Sequence, residues 1–290
     1  SGFVLNKQKS LLKNDIFSHL LTTDQIRTYF NKQELFRRSS FYIEIKGKYL
    51  ETQTTMSVPV QNLDPQRFMR VKCDAKTQVR VQLANQTELL KKLVRSKEEI
   101  AVNADKIHHG YVVREEDDID RKMSELQDTA AEFENSLLLG PVHNRHKLIF
   151  EATEAVVVPR LTLELKLKKP VIFARDLCVV LSKVAYLYCR IEEQEQDEPD
   201  EEFQIQYKVQ NSEIPDASNQ SIVCAFYRAV IICNLIPGKL YEFTINRVNP
   251  CYLVYSKWTD TICPEFSSLQ KMLIALQVLS FKQCRISPIL

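Results

Sequence analysis

Residues 234–245 read NLIPGKLYEFTI, and this stretch decides the fold of the second half of the 290-residue chain. Its Pro-Gly pair is typical of a tight turn. After the turn, Tyr241, Phe243 and Ile245 alternate with polar side chains. This is the pattern of a strand with one buried face and one solvent-exposed face. The stretch therefore predicts a turn that leads into a strand of a sheet.

The same alternation appears elsewhere in this half of the chain. Leucines at every second position predict a strand over 161–167, ended by Pro170, and the residues over 203–209 predict another. Residues 228–235 are nearly all apolar, which is typical of a central strand. The sequence therefore predicts a small β-sandwich over residues 148–265.

A tyrosine that opens the penultimate strand shortly after a Leu-x-Pro-Gly turn is a specific local arrangement. Here it consists of Leu235, Pro237, Gly238 and Tyr241, and it resembles the tyrosine corner of immunoglobulin-like and fibronectin type III sandwiches. Trp258 lies where the last strand of a fibronectin type III domain would begin. The resemblance implies that the predicted sandwich has this fold.

The first half of the chain shows the period of amphipathic helices. One helix is predicted over Lys9–Leu21, and a second is predicted to run from an N-cap at Thr23-Asp24 toward residue 50. A third has the clearest start, because Asp64 is a good N-cap and Pro65 suits the first helical position. The third helix is predicted to run past residue 95.

A fourth helix is predicted from apolar residues at alternating steps of four and three, ended by Gly140-Pro141. This seam favours one helix of an intramolecular bundle over a dimeric coiled coil, which normally sustains more heptads. Residues 106–118 before it are predicted to form a surface loop. The seam residues are Ile119, Met123, Leu126, Ala130, Phe133 and Leu137.

The predicted fold class is a two-domain α+β protein. An antiparallel helical bundle occupies residues 1–147, and the fibronectin type III (immunoglobulin-like) sandwich occupies residues 148–265. A C-terminal helical tail is predicted over residues 266–290 from a stripe at Phe266, Leu269, Leu273, Leu276 and Leu279.

The order of six short segments narrows the resemblance. SFYIE (40–44), LDPQRF (63–68) and TQVRVQL (77–83) precede KPVIF (169–173), residues 234–245 and LVYSKW (253–258). This order resembles a family of proteins in which a helical N-terminal domain precedes a fibronectin type III domain. The resemblance implies an intracellular, non-enzymatic protein of ciliated and sperm-producing tissues, and hence a component of the ciliary or flagellar axoneme. It supplies no catalytic motif.

Charge is distributed in blocks although the chain carries only +2 overall. Residues 1–114 hold 20 Lys and Arg against 11 Asp and Glu, whereas residues 115–137 hold two against nine. The basic block predicts a partner-binding basic surface, for which we single out Arg37, Arg38, Lys91 and Lys92. The alternative is that neighbouring acidic segments neutralise the block internally. A nucleic-acid footprint is not favoured, because the basic residues lack interleaved aromatic residues.

Sequence signatures of catalysis and cofactor binding are missing. The chain has only five glycines, whereas phosphate-binding loops are rich in glycine. The motifs G-x-G-x-x-G, G-x-x-x-x-G-K-[ST] and G-x-S-x-G do not occur in the sequence. His108-His109 are adjacent and point apart, and His143-x-x-His146 follows a helix breaker without an H-E-x-x-H frame. We therefore predict no catalytic residue, no cofactor, no metal and no small-molecule substrate.

Eight cysteines occur without a C-x-x-C spacing, and no stretch approaches the ~20 apolar residues that cross a bilayer. The chain also starts without the pattern of a secretory signal. These features predict reduced thiols, a cytoplasmic location and no membrane partner.

Two functions from different classes remain. The first is a scaffold that binds other proteins, axonemal or microtubule-associated ones among them. The second is an enzyme with an unrecognised site between the two domains, where pockets preferentially form. A cell-surface module, either cytokine-receptor-like or adhesive, is a third hypothesis, and it requires a signal peptide and paired cysteines.

Overall fold

The structure of the chain is a computed structural model. It describes residues 21–48, 55–107, 114–142, 148–149, 160–181, 183–193, 202–210, 220–225, 229–248 and 250–264. The chain divides into two compact units. The first contains residues 1–37 and 43–166, and the second contains residues 38–42 and 167–290.

Helix α1 (Thr23–Arg38) begins with a reciprocal cap. The N–H of Gln25 donates to the hydroxyl of Thr22 at 3.1 Å, and the N–H of Thr22 donates to Oε1 of Gln25 at 2.7 Å. Each bond satisfies an N–H that has no partner within the helix. The helix predicted to precede it over residues 9–21 lies almost wholly outside the described residues.

The prediction of one helix from residue 24 toward residue 50 is wrong, because α1 ends at Arg38 and strand β1 (Ser40–Lys48) follows. The physical reason is a change of period. Phe41, Ile43 and Ile45 occupy every second position and are all buried, as one face of a strand requires. Spaced at 200° around a helix, the same side chains would not share one face.

Helix α2 (Pro65–Ile107) starts as predicted, since Oδ1 of Asp64 accepts the N–H groups of Gln66 and Arg67 at 2.9 and 3.0 Å. Helix α3 (Arg114–Ser136) packs against α2. The loop predicted over residues 106–118 is shorter than expected, because α2 extends to Ile107 and α3 begins at Arg114. The shared core of the two helices contains Leu89, Leu90, Leu93, Ile100, Ile119, Met123, Leu126, Ala130 and Phe133.

The first unit also contains a sheet, so it is not a helical bundle alone. Strand β2 (Thr55–Ser57) is antiparallel to β1, with Lys46 opposite Ser57, and β3 (Arg160–Lys168) also pairs with β1. The leucine-rich strand predicted for the sandwich is thus β3 and belongs to this other sheet. The two units accordingly divide between residues 166 and 167, whereas the sequence placed the boundary at 147.

The second unit is an antiparallel β-sandwich, as predicted. Its strands are β4 (Val171–Phe173), β5 (Val179–Val180), β6 (Ala185–Ile191), β7 (Glu202–Val209), β8 (Gln220–Ala225), β9 (Ala229–Ile232), β10 (Tyr241–Arg247) and β12 (Thr259–Ile262). One sheet has the order β12-β10-β7-β8, and in the other β6 pairs with β4, β5 and β9.

Strand β9 is not the central strand that its apolar sequence suggested. Among the described strands it pairs with β6 only, which makes it an edge of its sheet. Strand β11 (Leu253–Tyr255) pairs with the first residues of β1, with Phe41 opposite Tyr255. The predicted tail over 266–290 and the four histidines at 108, 109, 143 and 146 lie outside the described residues.

Candidate functional site

The turn before β10 has the geometry of a tyrosine corner. The N–H of Ile236 donates to the buried hydroxyl of Tyr241 at 2.9 Å, which is the backward hydrogen bond that this arrangement predicts. Leu235 is buried in the sandwich core, and Gly238 adopts φ +75°, a conformation that favours glycine. Pro237 is exposed. These residues support the fold, and their turn faces solvent.

Trp258 lies directly before β12, close to the place predicted for it. The backbone N–H of Trp258 donates to the hydroxyl of Ser40 at 3.3 Å, and the guanidinium carbon of Arg38 lies 5.4 Å from the centre of the indole ring. This distance is within the range of a cation–π contact. The indole Nε1 is buried and makes no hydrogen bond within the described part of the chain.

Arg38 is therefore not part of a solvent-facing basic surface, contrary to the prediction. Its guanidinium donates to Oε1 of Glu192 at 2.7 Å, and the two side chains are only 28% and 25% exposed. Arg38 also belongs to the second unit, whereas the other three predicted residues belong to the first. Its charge is used to hold Trp258 and Glu192.

The remaining residues of the predicted surface are only partly available. Arg37 pairs with Glu34 at 2.8 Å, and Lys91 pairs with Glu88 at 2.9 Å, each within one turn of its own helix. Lys92 is exposed. Two of the three charges are therefore balanced locally, and binding of a partner by these residues stays a prediction.

A different part of α2 offers exposed cations. Arg70, Lys76 and Arg80 are exposed and make no ion pair with any residue that the structure describes. Met69 and Arg80 are eleven residues apart, with Lys76 seven residues after Met69, so these three side chains share one side of the helix. Arg70 lies about 100° further round the same helix and is also exposed. We call these four residues, Met69, Arg70, Lys76 and Arg80, the basic face of α2. Sequence reasoning missed it, although the helical spacing was readable.

Four charged side chains on β1 and β3 neutralise one another. The Lys46 ammonium lies 3.1 Å from Glu44 and 3.3 Å from Glu164, and Lys166 lies 3.3 Å from Glu44 and 3.6 Å from Glu164. Burial tends to raise the pKa of Glu44, but hydrogen bonds and charge attraction from the two lysines outweigh it and lower that pKa. The cluster therefore remains ionised and offers no net charge to a partner.

Cys178 is a buried cysteine without a disulfide. None of the six cysteines whose side chains the structure describes is in a disulfide. Burial raises the pKa of Cys178 to about 11, with only partial compensation by the Tyr188 N–H, which lies 3.3 Å from the sulfur. Cys178 is consequently protonated at neutral pH and is not a nucleophile.

The described ranges hold neither a cluster of metal ligands nor a membrane-spanning helix. They contain no group of three or more His, Cys, Asp or Glu side chains that could hold a metal ion. No described helix is both long and apolar enough to cross a membrane. The surface features that remain are the basic face of α2 and the exposed turn before β10.

Comparison with protein families matches both halves of the chain. Residues 4–163 match the N-terminal domain of a family described as "Family of unknown function (DUF5581)", and residues 168–270 match the Fn3-like domain of the same family. The gap between the two matches, residues 164–167, contains the division between the two structural units.

Two similar proteins bear the name "Fibronectin type III domain-containing protein 11". The protein from Bos taurus is 26% identical over 266 residues, covering 89% of this chain and 77% of its own length. The protein from Homo sapiens is 24% identical over 267 residues, covering 89% of this chain and 80% of its own length.

Solved structures show weaker similarity. A computationally redesigned β-sandwich protein is 13% identical with a TM-score of 0.23, and the match covers 31% of this chain and 87% of that one. A structure of titin domains is 11% identical with a TM-score of 0.22, and the match covers 43% of this chain and 54% of that one.

Proposed function

Because the chain belongs to the family described as "Family of unknown function (DUF5581)", whose second domain is Fn3-like, we propose that it is a non-enzymatic scaffold protein of the ciliary or sperm-flagellar axoneme. The Fn3-like domain points in general terms to protein–protein interaction. The axonemal assignment, and the cytoplasmic location that it requires, rest on the resemblance to proteins of ciliated and sperm-producing tissues.

The observation that carries the proposal is the basic face of α2. Helix α2 has 43 residues, and at ~1.5 Å per residue it is about 65 Å long, so it presents an extended surface. Between Pro65 and Thr87 the helix carries five Lys and Arg but only one acidic residue, Asp74. Cations without an ion pair attract an acidic partner and need not break an existing bond to bind it.

The partner that fits this face is an acidic protein surface. Tubulin and microtubule-associated proteins are such partners in an axoneme, and Met69 beside the cations adds an apolar contact. An interaction of exposed charges weakens as salt shortens the Debye length from ~10 Å at 0.1 M to ~3 Å at 1 M. Binding through this face should therefore be released by high salt. No observation in the described part of the chain favours the enzymatic alternative.

The experiment is stepwise extraction of the tagged full-length protein from multiciliated cells, first with detergent and then with high salt. We expect the wild type to stay with the detergent-insoluble skeleton and to leave it in high salt. A variant with Arg70→Glu, Lys76→Glu and Arg80→Glu should appear mainly in the detergent extract, because its face repels an acidic partner.

The matched control combines Arg37→Glu, Lys91→Glu and Lys92→Glu, which makes the same change in net charge at exposed positions outside the basic face. This control should be retained like the wild type. Full detergent extraction of the wild type would show that the axonemal assignment is wrong. Wild-type retention of the α2 variant, or equal loss of the control, would show that the basic face is not the binding surface.

A further inference from the structure

Two large apolar side chains are exposed on one turn of the sandwich, and a third lies on the strand before it. Ile236 is 56% exposed and Leu240 is 49% exposed, and Ile231 on the neighbouring β9 is 36% exposed. These three are among nine large exposed apolar residues of the described chain, and they fall within ten consecutive positions. Single exposed apolar residues are ordinary, whereas two on one short turn offer a partner a local apolar surface.

The backbone holds this turn in place. Besides the bond from Ile236 to Tyr241, the N–H of Leu235 donates to the carbonyl of Lys183 at 3.0 Å, and the N–H of Gln210 donates to the carbonyl of Leu240 at 2.8 Å. Ile236 and Leu240 are therefore presented on a fixed frame, so little ordering cost remains to be paid on binding. Turn geometry alone favours Gly, Pro, Asn, Asp or Ser at exposed positions, so it does not account for two large apolar side chains.

Two lysines belong to the turn or to the backbone that contacts it. Lys239 lies between them in sequence, and Lys183 lies beside the start of the turn through its bond to Leu235. Both lysines are exposed and make no ion pair with a residue that the structure describes. The nearest acidic residue along the chain, Glu242, is paired with Lys208 at 2.8 Å. We call Ile236, Leu240, Lys183 and Lys239 the turn patch.

We propose that the turn patch docks into an apolar pocket rimmed by carboxylates on a second protein. A projecting turn cannot enclose a small molecule, but it can fill a concave site with its two apolar side chains. The lysines on either side then meet acidic residues at the rim of that site, which sets orientation and on-rate. This surface belongs to the second unit and is separate from the basic face of α2, so its test does not depend on the axonemal assignment.

The first experiment places the photoreactive residue p-benzoylphenylalanine at Ile236 in the full-length protein, in cells that naturally express the protein. The control carries it at Met56, which is equally exposed but lies in the first unit. We expect one discrete adduct from position 236 that position 56 does not give. The absence of an adduct, or the same adducts from both positions, overturns the proposal.

The second experiment measures the affinity of the purified adduct partner for the full-length chain by calorimetry. Ile236→Ser with Leu240→Ser should weaken binding about tenfold or more, and Lys183→Gln with Lys239→Gln should weaken it and reduce its salt dependence. Met56→Ser should bind like the wild type. All positions are exposed, so an unchanged melting temperature is expected and verifies folding. Unchanged affinity of the Ile236→Ser, Leu240→Ser variant overturns the proposal.

The third experiment tests a membrane as the occupant. Vesicles of equal parts phosphatidylcholine and phosphatidylserine are sedimented with the wild type and with the Ile236→Ser, Leu240→Ser variant. We expect neither protein to sediment with them, because two lysines supply little attraction to an anionic surface. Sedimentation of the wild type but not of the variant would assign the turn patch to a lipid surface and overturn the protein pocket.

Discussion

At the scale of single residues, one hydroxyl and one thiol show how burial decides chemistry. The Tyr241 hydroxyl is placed by a buried strand and stabilises an exposed turn by accepting the N–H of Ile236. The Cys178 thiol is packed in the sandwich core, so its charged form is disfavoured. Both groups stabilise the folded chain, and a separate prediction follows from each.

We expect Tyr241→Phe to lower the free energy of unfolding by about 1–3 kcal/mol, because the N–H of Ile236 loses its acceptor. The far-ultraviolet circular dichroism spectrum should be unchanged, since the ring that packs in the core is retained. Tyr186→Phe is the control, because no hydrogen bond to the Tyr186 hydroxyl is found in the described residues. Equal urea midpoints for wild type and Tyr241→Phe would show that the hydroxyl does not stabilise the turn.

The thiol of Cys178 predicts a loss of stability at alkaline pH. The pKa is about 11 in the folded chain against an ordinary value of 9.0, so the buried neutral thiol stabilises the fold fully below pH 9. This contribution, about 2–3 kcal/mol, is lost as pH rises from 9 to 11. The difference in unfolding free energy between wild type and Cys178→Ala, measured in urea, should shift by that amount over this range. Cys73→Ala, at an exposed position, is the control for the removal of a thiol. A pH-independent Cys178 difference would contradict the prediction.

At the scale of secondary-structure elements, side chains of one element bind the end of another. The carbonyls at the end of α3 accept bonds from glutamines of α2: Gln82 donates to Ser136 at 2.6 Å and to Leu138 at 3.0 Å, and Gln86 donates to Ser136 at 2.9 Å. These bonds satisfy carbonyls that have no partner within their helix. At the end of α1, the guanidinium of Arg38 lies over the ring of Trp258, which directly precedes β12.

Arg38→Ala should shift the fluorescence of Trp258, the only tryptophan of the chain, to longer wavelength. Removing the guanidinium exposes the indole to water. We expect the free energy of unfolding to fall by only about 1 kcal/mol, because the contact is partly exposed. Arg37→Ala is a matched control at the adjacent position, where the side chain pairs with Glu34 on the helix surface. If both variants gave the same emission spectrum, the contact between Arg38 and Trp258 would be excluded.

At the scale of the whole molecule, neither unit is one continuous stretch of chain. Residues 38–42 belong with residues 167–290, and residues 43–166 belong with residues 1–37, so strand β1 is shared between the units. The two proposed binding surfaces are divided in the same way: the basic face of α2 belongs to the first unit and the turn patch to the second. Variants of one surface can therefore be tested while the other is left intact.

Local patterns predicted much of the fold. The N-cap at Asp64 and the seam from Ile119 to Phe133 predicted α2 and α3, because capping and a 3.6-residue period depend on residues within a few positions of one another. The alternation from Tyr241 to Ile245 predicted β10 in the same way. The tyrosine corner was predictable as well, because its hydrogen bond spans only five positions.

Only the tertiary structure decided which strands pair and which charges remain available. The period of β3 was plain in the sequence, but pairing with β1 joins residues more than a hundred positions apart, and alternation gives no partner. Arg38 and Arg37 are neighbours with identical side chains, yet one stacks on Trp258 and the other pairs with Glu34. Sequence alone determined elements such as α2, α3 and β10, because their causes are local, whereas sheet membership and free charge depend on long-range contacts that form only when the chain folds.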